Sequence, residues 1–267
     1  MKITFLGTGP SGRIPRPNCQ WYVCKEARKP GSKSARLQSS AFFEFPNFNI
    51  LVDVTQDFKK QIKRIGGKKI DYIFLTHGHS DAAGGLPQLL KDIRQNKTST
   101  TVYAEKQTLK TAIKEMPKFD LPFRYIKPNE TLDFSAKGGS ASGGKDFKLV
   151  PFRVEHSFNP KFPTLGYLLK IGGSQVVYAS DFKQIPLKSK KLIKNADLAI
   201  LDCAAYKRAI HTHMSFPEIL ELAKEMKFRK IYLTQVGIAW PHYELAREII
   251  ARQAKNISLA YDGLSIS

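Results

Sequence analysis

The sequence predicts an α/β protein arranged as a single domain over residues 1–267. Short β-rich runs alternate with helix-like segments from end to end, and no change in composition marks a linker. A hydrophobic content of 42% with 25% charged residues is that of a soluble globular chain. Apolar runs predict strands at Lys2–Gly7, Ala41–Phe45, Ile50–Asp53, Tyr72–Thr76, Thr101–Ala104, Lys148–Val154, Thr164–Ile171, Gln175–Ser180, Leu198–Asp202, Ile231–Thr234 and Ser258–Tyr261. Helices are expected at Thr55–Ile65, Leu86–Gln95, Lys106–Glu115, Ser215–Met226 and Tyr243–Gln253. Ser215 followed by Glu218 forms a capping-box start, and Pro217 is tolerated within the first turn. Gly172 and Gly173 between two strand-like runs predict a hairpin turn. Lys137–Lys145, dominated by glycine and serine, is expected to be a mobile surface loop. It lacks the Lys-Ser or Lys-Thr step and the following helix that a phosphate cradle needs.

The densest chemistry lies in Thr76–Leu86, where His77, His79 and Asp81 fall at alternate positions directly after the apolar run Tyr72–Leu75. Alternate residues of an extended backbone share one side, whereas a two-residue step in a helix points to nearly opposite faces. Three ligands therefore converge if this stretch continues a strand into a loop. Two imidazoles and a carboxylate suit zinc, with manganese or iron as alternatives, better than calcium, which prefers an all-oxygen shell. Further polar residues follow predicted strands, where open sheets gather their sites: His156, Asp181, His211, His213 and Gln235.

Charge is the unusual part of the composition: 43 Lys and Arg against 23 Asp and Glu leave a net +20. Such a surface is compatible with nucleic acid, with phosphorylated metabolites, with a high-temperature host, or with a simply solvated basic face. Basic and aromatic residues do not alternate along the chain, which weakens the nucleic-acid reading. The three cysteines are an odd number without a secretory context, and Cys203 sits in an apolar stretch expected to pack in the core. The opening apolar run is too short for a secretion signal and no later stretch is long enough to span a bilayer, so a cytoplasmic, membrane-free protein is expected.

Along nearly its whole length the chain resembles the metallo-β-lactamase-fold hydrolases. The resemblance rests on Gly7-Thr8-Gly9, Leu51-Val52-Asp53, the Thr76–Asp81 motif, His156-Ser157, Ser180-Asp181, Leu201-Asp202-Cys203 and Tyr261-Asp262-Gly263. Within that superfamily it is most similar to the subgroup holding the cyclic phosphodiesterase of phosphonate breakdown and its relative from pyrroloquinoline quinone biosynthesis. The resemblance implies a four-layer αββα sandwich with a divalent-metal site at one edge of the paired sheets. It implies His77, His79 and His156 as ligands of the first ion and Asp181 as the bridge to a second; with a single ion, Asp181 joins the three histidines around it.

Two departures from the family pattern stand out. The second ion normally uses a histidine directly after Asp81 and another near the last strands, and these positions hold Ala82 and Gln235. Alanine cannot ligate and an amide is a poor zinc donor, which points to one ion, with Asp81 and Gln235 hydrogen-bonding its water. A weaker second site of Asp81, Asp181 and Gln235 oxygens stays open to a harder ion such as manganese. Near the start, where relatives carry a structural zinc on three cysteines and a histidine, this chain has Cys19, Trp21, Cys24 and Ile238. No zinc is expected there, with Trp21 and Ile238 filling the space by apolar packing.

By position in the resemblance, His213 is the general acid beside the leaving group, and Asp81 orients or deprotonates the attacking water. His211 and His242, each shortly before a predicted helix, are candidate substrate-binding residues. The expected reaction is metal-dependent hydrolysis of a small cyclic or nucleotide-type phosphodiester. Two alternatives stand beside it: a non-hydrolytic metal-binding or sensing protein on the same fold, and an RNA-processing nuclease of the tRNA 3′-end type, whose long exosite arm is not evident here.

Overall fold

The computed structural model describes residues 1–96, 99–113, 123–134, 146–157, 159 and 161–267. The Lys137–Lys145 loop, and Lys114 and Glu115 at the end of an expected helix, lie outside the described residues. In chain order the strands are β1 (Lys2–Gly7), β2 (Ser40–Glu44), β3 (Asn49–Val52), β4 (Tyr72–Phe74), β5 (Thr101–Ala104), β6 (Phe123–Tyr125), β7 (Leu132–Asp133), β8 (Phe147–Val154), β9 (Thr164–Ile171), β10 (Ser174–Ala179), β11 (Leu198–Asp202), β12 (Lys230–Thr234), β13 (Ile257–Leu259) and β14 (Ser265–Ile266). They form two seven-stranded mixed sheets, β14-β1-β2-β3-β4-β5-β6 and β13-β12-β11-β10-β9-β8-β7. The helices are α1 (Tyr22–Ala27), α2 (Phe58–Gln61), α3 (Ser80–Ala83), α4 (Leu86–Asn96), α5 (Lys106–Ala112), α6 (Leu187–Ile193), α7 (Phe216–Met226) and α8 (Tyr243–Gln253).

The period-two alternation of each strand builds the layers. Ala41 and Phe43 of β2, Ile50 and Val52 of β3, and Leu165, Tyr167 and Leu169 of β9 enter the core between the sheets. Their neighbours turn outward: Phe42 and Leu51 pack under α2, α4 and α5, while Leu168, Ala199 and Leu201 pack under α6, α7 and α8. Both faces of each sheet are thereby covered, giving the expected αββα sandwich. Two bonds tie the sheets together near one edge, from Leu165 N to Thr76 O at 2.9 Å and from Tyr167 Oη to Leu75 O at 2.5 Å.

Several local readings carry through to the structure. Ser215 and Glu218 form the reciprocal capping box that starts α7. The β9–β10 hairpin turns on Gly172 and Gly173, whose φ values of 51° and 90° require residues without a Cβ penalty. Cys203 is buried in the core. The expected Thr55–Ile65 helix is shorter: α2 begins at Phe58 and tightens into a 3-10 turn over Ile62–Ile65. Thr55 Oγ1 accepts the Asp57 N–H and donates to Gln61 Oε1, a local arrangement that competes with helix propagation. Likewise the expected Tyr72–Thr76 strand stops at Phe74. Among the described residues no helix is long and apolar enough to cross a membrane.

Candidate metal centre

The centre forms where strand ends from both sheets meet. Beyond β4 the chain runs through Leu75–His79, and His79 keeps an extended backbone (φ −68°, ψ 155°) before α3 begins. A Cβ at Gly78 would lie 2.0 Å from Thr111 Oγ1 on α5, so only glycine allows the loop to sit this close to that helix. His156 follows β8 and faces the pair from the other sheet. One nitrogen from each of His77, His79 and His156 lies within 4.8 Å of the other two. The ring centroids are 4.8, 5.2 and 5.4 Å apart. His156, Asp181 and His213 form a second group with the same spacing.

Hydrogen bonds orient these rings. Thr76 Oγ1 lies 2.9 and 3.0 Å from the two carboxylate oxygens of buried Asp53 and 2.9 Å from His77 Nδ1. With the hydroxyl proton donated to Asp53, Nδ1–H of His77 donates to Thr76, leaving Nε2 as a bare donor nitrogen. That Nε2 is buried and has no partner among the described residues. An unpaired buried nitrogen is costly, and a divalent cation is a partner chemically suited to it and to the surrounding imidazole and carboxylate donors. His156 Nδ1 lies 2.9 Å from Thr212 O, which likewise fixes Nε2 as its free nitrogen. The His79 ring packs 4.0 Å from that of Phe162.

Burial drives the His77 imidazole down to about 3, so it is neutral and able to ligate. Burial raises Asp181, but the facing His77, His156 and His213 more than offset this and hold its carboxyl below the ordinary value. Burial, followed by the nearby charge of Asp181, pushes Asp81 up to about 6. Burial also works against charge on His213, yet Asp202, 2.6 Å from its Nδ1, outweighs it and lifts the imidazole to about 9. His213 is therefore held as a cation at neutral pH.

The remaining expected residues fall as follows, with corrections at Asp81 and Trp21. Asp81 does not continue the extended alternation of His77 and His79: α3 starts at Ser80, and Asp81 occupies its first turn. It belongs to neither donor group. The early helix start turns its side chain away from the register an extended strand would give. Gln235, at the end of β12 with φ 59°, directs its Nε2 onto Asp181 Oδ1, while its Oε1 is buried without a partner among the described residues. His211 is exposed and outside both groups. His242 stands at the N-cap position of α8 without a side-chain cap bond, and its ring meets that of Tyr22 in a T-shaped contact at 5.2 Å. Trp21 does not fill the Cys19–Cys24 region; it stands 59% exposed at the start of α1, leaving Ile238 to pack against Ile14, Val23, Cys24 and Ala27. Sequence reasoning gave no role to Thr76, Phe162 or Asp202, although Asp202, a carboxylate ending an apolar strand just before His213, carried a usable signal.

Comparison with known proteins agrees with this fold. The chain matches the beta-lactamase superfamily domain over residues 48–234. It is 24% identical over 331 residues to ribonuclease Z of Archaeoglobus fulgidus, covering 99% of this chain and 97% of that protein. It is 23% identical over 274 residues to an octanoyltransferase of Porphyromonas gingivalis, covering 99% of this chain and 51% of that protein, so it spans about half the length of that relative. Among solved structures, a diphosphatase from the PhnP family aligns with a TM-score of 0.81 at 26% identity, covering 100% of this chain and 97% of that one. Zinc-bound PqqB from Methylobacterium extorquens aligns with a TM-score of 0.81 at 18% identity over 100% of both chains, a likeness of fold.

Proposed function

Because the chain belongs to the beta-lactamase superfamily, we propose that it is a metal-dependent phosphodiesterase with one well-formed cation site. The observation that carries this reading is the cluster of His77, His79 and His156 nitrogens within 4.8 Å, with the buried Nε2 of His77 unpartnered among the described residues. These three histidines and Asp181 would hold the ion, zinc being the best match to the donors and manganese or iron the alternatives. Held there, a divalent cation would supply Lewis acidity, the property that brings the pKa of water from about 16 toward neutrality.

The chain's own residues would divide the remaining work. Gln235 holds Asp181 through its amide and so fixes the carboxylate facing the three imidazoles. Asp81, pushed up to about 6, is suited to take a proton from the attacking water near neutral pH. His213, kept charged by Asp202, is suited to protonate the departing oxygen. Ala82 carries no ligand atom, and the Gln235 amide oxygen is a poor donor to zinc, which favours a single ion. Likeness to a ribonuclease Z and to a PhnP-family diphosphatase supports phosphate-containing compounds as the substrate class.

Hydrolysis of bis(p-nitrophenyl) phosphate by metal-loaded protein tests the reading. His79→Ala and His213→Ala are each expected to lose roughly 100-fold or more in rate. Equal product release by wild type and both variants would overturn it.

A further inference from the structure

We propose that a groove beside the metal centre binds single-stranded nucleic acid, with Trp21 and Tyr22 stacking bases whose backbone reaches His213. This deepens the phosphodiesterase reading and rests on it for the inner end of the groove. An inner cavity of about 460 Å³ is lined by His213 and by Arg16, Lys207 and Arg208. An outer cavity of about 400 Å³ is lined by Trp21, Tyr22, Trp240 and Leu245. Tyr206, Ile238 and Ala239 line both, so the two adjoin along these residues.

The two halves have complementary chemistry. Trp21 and Tyr22 are 59% and 62% exposed, and the Tyr22 ring is braced by a T-shaped contact with the His242 ring. Together with Ile210 and Leu245 they account for four of the seven large hydrophobic residues exposed among the described residues. Such clustering of exposed apolar surface marks a binding face. Arg16, Lys207 and Arg208 form no ion pair among the described residues, and no carboxylate lines either cavity. Lys207 Nζ lies 5.3 Å from the centroid of the Tyr206 ring, at the junction of the two halves. Glu26, beside Tyr22, is paired with Lys29 at 2.5 Å.

Uncommitted cations beside exposed aromatic faces suit a chain of phosphates and planar bases. An apolar protein segment would leave those cations unanswered, and a second copy of a chain with net charge +20 would bring like charge to them. The basic and aromatic residues come from separate segments, Arg16–Tyr22 and Tyr206–Arg208, which explains why no alternation is visible along the sequence.

The test is fluorescence anisotropy of a labelled five-nucleotide oligoriboadenylate titrated with the full chain in EDTA, so that binding is read without turnover. Trp21→Ala and Tyr22→Ala are each expected to raise Kd by about tenfold. Lys207→Gln and Arg208→Gln are expected to reduce the slope of log Kd against log salt by about one each. Lys188→Gln, outside the groove, is expected to bind as wild type does. Unchanged Kd in both aromatic variants, or no binding by wild type, overturns the proposal and leaves a small substrate confined to the inner cavity. The phosphodiesterase reading is tested separately: inert bis(p-nitrophenyl) phosphate with normal oligonucleotide binding overturns that reading alone, and hydrolysis without aromatic-dependent binding overturns the groove alone.

Discussion

His213 Nδ1 lies 2.6 Å from Oδ2 of Asp202, a carboxylate with no solvent exposure. Asp202 also accepts the Phe182 and Ala204 N–H groups at 2.9 Å each, so its position is set by backbone as well as by the histidine. Burial raises the Asp202 carboxyl, and the charge of His213 opposes that rise. The pair places a proton donor 4.7 Å, ring to ring, from His156.

Asp202→Asn removes the charge that lifts His213 from 6.5 to about 9. A general acid works only while it holds its proton, below its pKa. The rate of phosphodiester hydrolysis should therefore fall above about pH 9 in wild type, and in the variant the fall should move down toward 6.5. The pH dependence of kcat in the two metal-loaded proteins checks this, because the same cation is present in both. Coincident alkaline limbs would remove Asp202 from the proton-holding role.

Thr76→Val deletes the hydroxyl between Asp53 and His77 while keeping the side-chain shape. Two buried groups lose a partner, so a stability loss of about 1–3 kcal/mol is expected in urea unfolding. A weakening of metal binding by about 10–100-fold is expected in chelator competition. Thr76→Ser should restore both, since it returns the oxygen.

Gln235→Leu removes the amide that holds Asp181 Oδ1. Freed from that bond, Asp181 should hold the cation less well, with an affinity loss of about 10-fold or more. Chelator competition reads the change. An unaltered affinity would mean that the amide packs beside Asp181 without positioning it.

Gly78→Ala places a methyl group 2.0 Å from Thr111 Oγ1. The loop or α5 must shift, at a cost of about 1–3 kcal/mol. Thermal unfolding should show a lowered Tm, with His77 and His79 displaced together and metal binding weakened in parallel. Wild-type Tm in the variant would show that the loop relaxes freely.

Much of the fold was legible in the sequence because each buried strand carries its own apolar run. β1, β5, β9 and β11 fall on the expected residues, since sheet burial and strand length agree there. The short helices α1, α3 and α6 were not, because four to seven residues are too few for a 3.6-residue period to stand out. The three clustered histidines could be collected from strand ends, but their orienting partners could not. The Asp53–Thr76–His77 chain joins two strands, and the His156–Thr212 bond spans 56 residues. Such contacts exist only once the sheets are paired. The alternation of His77, His79 and Asp81 reads as one extended run, because nothing local announces that the helix begins one residue before Asp81.

Metal content per chain tests the central claim most directly. Elemental analysis of protein purified without added metal, set beside the His79→Ala variant, should give a ratio near one for wild type and a marked loss in the variant. A wild-type ratio near zero after incubation with zinc, manganese or iron, or full retention in His79→Ala, would contradict a cation held by His77, His79 and His156.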